Sequence, residues 1–198
     1  MHPLFNDTSA ESSALNPIRY TIGTSSLGGI LVASSKLGIC AVLLGDAPNG
    51  LAGQLRRMFP QSRLQKDDEA LRHSLQSVAR LADEPASLVD LPIDMHGTPF
   101  QKKVWEALKD IPIGRTSTYK EIAAKTGGTP QEVGEACAAN KMALIVPCHR
   151  VVRSDGTLAG YRWGMLRKRS LLQKEQEAFP KRGSLFHAVA LNHSRQID

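Results

Sequence analysis

Between residues 20 and 44 the apolar positions fall in short β-rich runs separated by Ser and Gly: Tyr20-Thr21-Ile22-Gly23, Gly29-Ile30-Leu31-Val32-Ala33 and Ile39-Cys40-Ala41-Val42-Leu43-Leu44. Runs of this length with turn residues between them predict a three-stranded meander. The period then changes. Asn49 offers a cap for a short helix reaching Met58, with Pro60 just beyond its end, and Asp67 or Asp68 can open a second helix through about Leu81. A strand near residues 88–93 would complete a small α/β unit, and Asp94-Met95-His96-Gly97 marks a domain boundary.

Beyond that boundary the pattern is one of short helices. Thr98 precedes Pro99 at the first helical position, with Phe100, Val104, Ala107 and Leu108 on one face. Ser117 or Thr118 opens a helix through Ala124, and a Gly-Gly-Thr-Pro turn leads into a helix over residues 131–139 that is rich in small side chains. Two short helices joined by such a turn are a helix-turn-helix candidate, a spacing also found in ordinary bundles. The apolar run Met142-Ala143-Leu144-Ile145-Val146 reads as a core strand, Ser154-Asp155-Gly156-Thr157 as a turn, and residues 167–177 as a basic helix. The chain thus divides into a flexible leader (1–17), an α/β domain (18–95), a mainly helical domain (96–178) and a flexible tail (179–198).

Charge sharpens this division. The net charge is +6, but residues 1–95 carry 8 basic and 10 acidic side chains whereas residues 96–178 carry 14 and 8. The positive excess lies in the helical half, as a solvated surface or as the electrostatic footprint of a nucleic-acid binder. Cys40, Cys137 and Cys148 have no metal-ligand spacing and leave an odd thiol in any disulfide scheme, which points to a reducing cytosol and no metal. Neither a secretory signal nor an apolar run long enough to span a bilayer is present, so a cytoplasmic protein without membrane attachment is expected.

The richest chemistry lies in Pro147-Cys148-His149-Arg150. A free cysteine is often a small buried hydrophobe. Here it follows a rigid proline and precedes a histidine and an arginine, which are costly to bury without purpose. A thiol becomes a strong soft nucleophile by losing one proton, and imidazole is a suitable acceptor. In extended chain, neighbouring side chains face apart, so a bridging water is the expected proton path between Cys148 and His149.

Pro147-Cys148-His149-Arg150-Val151-Val152 resembles the active-site motif of the O6-methylguanine-DNA methyltransferases, and the likeness continues in Gly160-Tyr161-Arg162-Trp163-Gly164, Arg167-Lys168 and Cys137-Ala138-Ala139-Asn140-Lys141. It covers nearly all of residues 19–177 and is strongest over 97–175. The resemblance implies a ribonuclease-H-like three-stranded N-terminal domain packed on a helical domain with a winged-helix-like helix-turn-helix. The implied activity is irreversible transfer of the alkyl group from O6-alkylguanine, and from O4-alkylthymine, in double-stranded DNA to Cys148. No cofactor is implied, and a monomer is expected.

By the same resemblance His149 takes the Cys148 proton through a water, Glu175 stabilises the imidazolium, Asn140 ties the recognition helix to the active-site loop, and Tyr119 donates a proton to the leaving guanine. Cys137, Val151, Tyr161, Arg162 and Trp163 would surround the base, and Gln131, Gly134, Ala138 and Arg150 would meet the DNA. One departure stands out. The family fills the vacated base stack with an arginine, whose position here is Gln131, and the interval from Tyr119 to that point is two residues shorter. Glutamine can hydrogen-bond an orphaned base but has neither the charge nor the planar stacking face of a guanidinium. A lesion-binding or regulatory module is therefore a second reading, and a cysteine hydrolase a third.

Overall fold

The computed structural model describes residues 17–87 and 89–180. The leader to residue 16, the tail from residue 181 and Leu88 lie outside these residues. Strands β1 (Ile18–Ser25), β2 (Gly28–Ser35) and β3 (Gly38–Gly45) form the antiparallel meander that the apolar runs predict. A fourth strand, β4 (Leu64–Lys66), pairs parallel with β1, giving the order β3-β2-β1-β4. Its three residues include a single apolar one, too short a run to register as a strand in sequence. The strand expected near residues 88–93 is, over the described residues, a lone parallel bridge from Ile93 to Ile39.

The central strand is buried on both faces. Leu31 and Ala33 join α1 (Leu51–Met58) in one apolar cluster with Leu51 and Leu55, while Ile30 and Val32 face the other way, into a larger cluster that includes Val78 of α2 (Arg72–Arg80). Two helix starts differ from expectation. The cap of α1 is Gly50 in a left-handed conformation, so Asn49 lies one residue too early. Asp67 instead closes a turn, its carboxylate accepting the Ala70 amide, and α2 begins five residues later.

The larger cluster runs on into the helical half. It takes in Val104, Trp105 and Leu108 of α3 (Pro99–Lys109), Ile122 of α4 (Tyr119–Thr126), Val133 and Ala136 of α5 (Pro130–Ala139) and Leu171 of α6 (Met165–Ala178). Thr98, Thr118 and Thr129 each accept an amide hydrogen bond in a capping box, which sets the starts of α3, α4 and α5. The Trp105 indole donates to the Ala136 carbonyl at 2.8 Å, locking α3 against α5. The two strand pieces β5 (Ser117–Thr118) and β6 (Val151–Val152) pair in parallel, so the start of α4 is tied to the segment just after Cys148.

The outer edge of β3 organises both halves. Ile39 exchanges hydrogen bonds with Pro92 and Asp94, and Val42 does so with Lys141 and Ala143, the segment that leads to Cys148. Helix α6 is tied to the β1–β2 turn by Arg167, which donates to the Leu27 carbonyl at 2.7 Å, and by Lys174, which reaches Ser26 and Asp83. Among the described residues no helix is long and apolar enough to cross a membrane.

Gly38 tests the edge pairing. Its φ is +142°, and a Cβ there would overlap the Pro92 carbonyl. Gly38→Ala is expected to cost about 2–3 kcal/mol of stability, measured by urea unfolding, because both the backbone angle and the neighbouring backbone resist it.

Candidate active site

The run before Cys148 is not the expected strand. Only Met142 bridges to the sheet; residues 143–146 turn, and Leu144 adopts a φ of +69° that a side chain seldom occupies. The Asn140 side chain braces this turn. Its amide oxygen accepts the Met142 N–H at 2.8 Å, and its amide nitrogen donates to the Val146 carbonyl at 3.2 Å and to the Cys148 Sγ at 3.3 Å. Asn140 also ends α5, so one fully buried side chain joins that helix, the turn and the thiol.

Cys148, His149 and Arg150 form a single 3-10 turn rather than extended chain. Cys148 and His149 still make no hydrogen bond to each other. Cys148 is 4% exposed, and burial pushes its thiol up to about 11; the Asn140 hydrogen bond and the Lys168 charge oppose that rise without cancelling it. Lys168 is wholly buried, its ammonium donating to the Val151 carbonyl at 2.6 Å and the Ala159 carbonyl at 3.2 Å. Burial holds its own pKa below the ordinary lysine value, with the neighbouring thiols acting in the opposite direction.

Glu175 of α6 lies at the centre of the polar cluster. Its Oε1 accepts from His149 Nε2 at 2.7 Å and from Arg150 Nη2 at 3.0 Å, while Oε2 accepts the Gly114 amide at 3.2 Å. Burial alone would raise this carboxyl, but the hydrogen bonds from His149 and Arg150 outweigh it and hold the group below its usual range. Burial lowers His149, and Glu175 opposes that shift only in part, since Arg150 already balances the carboxylate. His149 is therefore a neutral imidazole. Because a carboxylate can only accept, the proton sits on Nε2, leaving Nδ1 a buried acceptor with no protein partner.

The remaining expected site residues divide by location. Tyr161 meets His149 edge-on at 6.3 Å and Trp163 at 5.3 Å, and the Tyr161 hydroxyl and Trp163 indole nitrogen are buried without a protein partner. Cys137 is buried on α5, and burial raises its thiol. Val151 is wholly buried, and its carbonyl is engaged by Lys168. Arg162 donates to the Ala138 carbonyl at 2.5 Å, pinning the end of α5. Tyr119, Gln131 and Gly134 line one cavity of about 470 Å³ together with Lys120, Arg153 and Ala159; Cys148 is not part of its wall. Burial raises the Tyr119 hydroxyl to about 12, so it keeps its proton at neutral pH.

Arg150 is a correction. Expected on a DNA-facing surface, its side chain is 11% exposed and turned inward, donating to Glu175 and to the Ile111 carbonyl at 2.7 Å. Sequence reasoning also missed Lys168 and Gly114. Gly114 has a positive φ of +69° within Pro112-Ile113-Gly114-Arg115, a turn signal readable in advance, but nothing local marks a lysine in a basic helix as buried.

Residues 99–177 match the 6-O-methylguanine DNA methyltransferase DNA-binding domain. The "Bifunctional transcriptional activator/DNA repair enzyme Ada" of Escherichia coli is 44% identical over 81% of this chain and 46% of its own length, so the chain spans about half of that relative. A methylated-DNA–protein-cysteine methyltransferase of Candida albicans is 33% identical over 81% of this chain and 98% of its own length. Among solved structures, Mycobacterium tuberculosis OGT in complex with DNA superposes with a TM-score of 0.67 at 30% identity, covering 80% of this chain and 93% of that one.

The buried pair gives a defined acid response. The unfolded chain would protonate His149 near 6.5 and Glu175 near 4.5, and both groups are held lower in the fold. In each case the unfolded state binds the proton first as pH falls, so the stability these groups contribute is complete above about pH 6.5 and is lost on acidification. Chemical denaturation across pH 4–8 is expected to show that decline, with His149→Gln flattening its upper part.

Proposed function

This chain belongs to the methylated-DNA–protein-cysteine methyltransferase family, and from that premise we propose that it is a DNA repair protein that removes alkyl groups from guanine O6, and from thymine O4, in duplex DNA onto its own Cys148. The observation that carries this reading is the hydrogen-bonded series from Asn140 to the Cys148 thiol, beside a neutral His149 whose Nδ1 has no protein partner and whose Nε2 is held by Glu175.

In this reading the thiol passes its proton through a water to His149 Nδ1, and Glu175 stabilises the imidazolium. The sulfur attacks the alkyl carbon as the C–O6 bond breaks, and the electron pair of that bond moves onto guanine. Tyr119, protonated at neutral pH, supplies the proton that leaves guanine neutral and regains one through water from the imidazolium, so the thiol proton ends on the released guanine. A thioether has no leaving group that restores the thiol, so each molecule acts once. The raised thiol pKa suits a nucleophile kept as a thiol until the substrate arrives.

Reaching O6 requires extrusion of the nucleotide from the stack, at a cost of a few kcal/mol. The pair α4–α5 would act as the helix-turn-helix, with Gln131, Gly134 and Ala138 towards DNA, within a ribonuclease-H-like (18–95) and winged-helix-like (96–178) organisation. We further read the protein as a cytoplasmic monomer. Helix α5 departs from a DNA-binding face in charge as well as in lacking arginine: exposed Glu135 accepts a hydrogen bond from Gln131 at 3.1 Å. A carboxylate there repels phosphates, and it draws the glutamine amide along the helix.

The deciding experiment incubates the protein with duplex DNA carrying O6-methylguanine and records intact and peptide mass. One methyl group on the Cys148 peptide with guanine restored is expected; binding without modification would sink the reading. Cys148→Ala is expected to abolish transfer while leaving DNA binding largely intact. Glu135→Gln should tighten duplex binding about threefold to tenfold at low salt, an advantage that fades as salt screens it.

A further inference from the structure

We propose, resting on the repair reading above, that Arg153 supplies from the active-site loop the cation that α5 lacks: its guanidinium pairs with the phosphodiester of the nucleotide being extruded. The cations from Arg150 to Lys168 differ in their commitments. Arg150 is held by Glu175, Arg162 by the Ala138 carbonyl, Arg167 by Leu27 and Asp46, and Lys168 by Val151 and Ala159. Arg153 is exposed, and among the described residues its side chain makes no ion pair or hydrogen bond. It nevertheless lines the same cavity as Gln131 and Tyr119.

Its backbone is well anchored for this task. The Arg153 amide donates to the Thr157 carbonyl at 3.0 Å and its carbonyl accepts from Gly156 at 2.9 Å, while the Asp155 carboxylate closes the turn onto Thr157. The residue follows directly on β6, which is paired with β5 at the start of α4, so its Cα is fixed relative to Tyr119. The charge reaches the cavity: it lowers the Tyr119 hydroxyl against the larger effect of burial. Lys120, exposed on the same wall, adds a second positive charge. A guanidinium can meet two phosphate oxygens at once, a geometry that Gln131, already engaged with Glu135, cannot offer.

The test compares wild type, Arg153→Ala and Arg153→Lys in the full chain. Binding to O6-methylguanine duplex is measured against salt, and alkyl transfer from that duplex is measured against transfer from the free O6-methylguanine base. For Arg153→Ala the slope of log affinity against log salt should fall by about 1, because one phosphate is no longer neutralised, and the ratio of duplex to free-base rates by about tenfold. Arg153→Lys should recover the slope but only part of the rate ratio. An unchanged slope and ratio would overturn the proposal, as would an equal loss on both substrates, which would place Arg153 in the chemistry or the fold instead. Transfer by wild type is read separately: transfer from neither substrate sinks the repair reading and this proposal with it, whereas transfer from both upholds the repair reading whatever the variants do.

Discussion

A buried carboxylate that must not be left alone governs this structure. Glu175 is 1% exposed, and an unpaired charge at that depth would be strongly destabilising. It is balanced by three donors from two separate parts of the chain: His149 and Arg150 from the turn after Pro147, and the Gly114 amide from the loop between α3 and β5. Satisfying Glu175 therefore brings α6, the Cys148 turn and that loop together. The same bonds fix the tautomer of His149, so packing and the proposed chemistry rest on one set of interactions.

Asn140 plays the corresponding part on the other side of the thiol. It spans the end of α5, a turn strained at Leu144 and the sulfur itself. A side chain with two donors and an acceptor, all occupied, can hold a left-handed residue that would otherwise relax. Movement of α5 would thus be felt at Cys148 through a single amide. This couples the helix proposed to meet DNA to the residue proposed to react.

Electrostatics separates the interior of the helical half from its exterior. Much of its positive excess is turned inward, in Arg150 and Lys168, or engaged by the N-terminal half, in Arg167 and Lys174. Net charge counted along the sequence consequently overstates what the surface offers a polyanion. The exposed face of α5 carries Gln131 and Glu135, so the cations at the cavity come from elsewhere, Arg153 and Lys120.

The sequence by itself determined the meander, the capped helices α3, α4 and α5, and the Pro147-Cys148-His149-Arg150 motif. Each is written in local signals: alternating turn residues, a threonine three residues before Gln or Glu, and a thiol beside an imidazole. It also placed Cys148, His149, Glu175 and Asn140 in one site, through resemblance rather than periodicity. Tertiary structure alone decided that residues 143–146 turn instead of pairing, since an apolar run carries no record of the side chain that will brace it. It turned Arg150 inward and buried Lys168, because whether a cation meets water or a carbonyl depends on elements distant in sequence. β4 and the bridges from Ile93 and Met142 exist for the same reason: hydrogen bonds to a strand edge are made by backbone, and backbone is the same whatever the side chains spell.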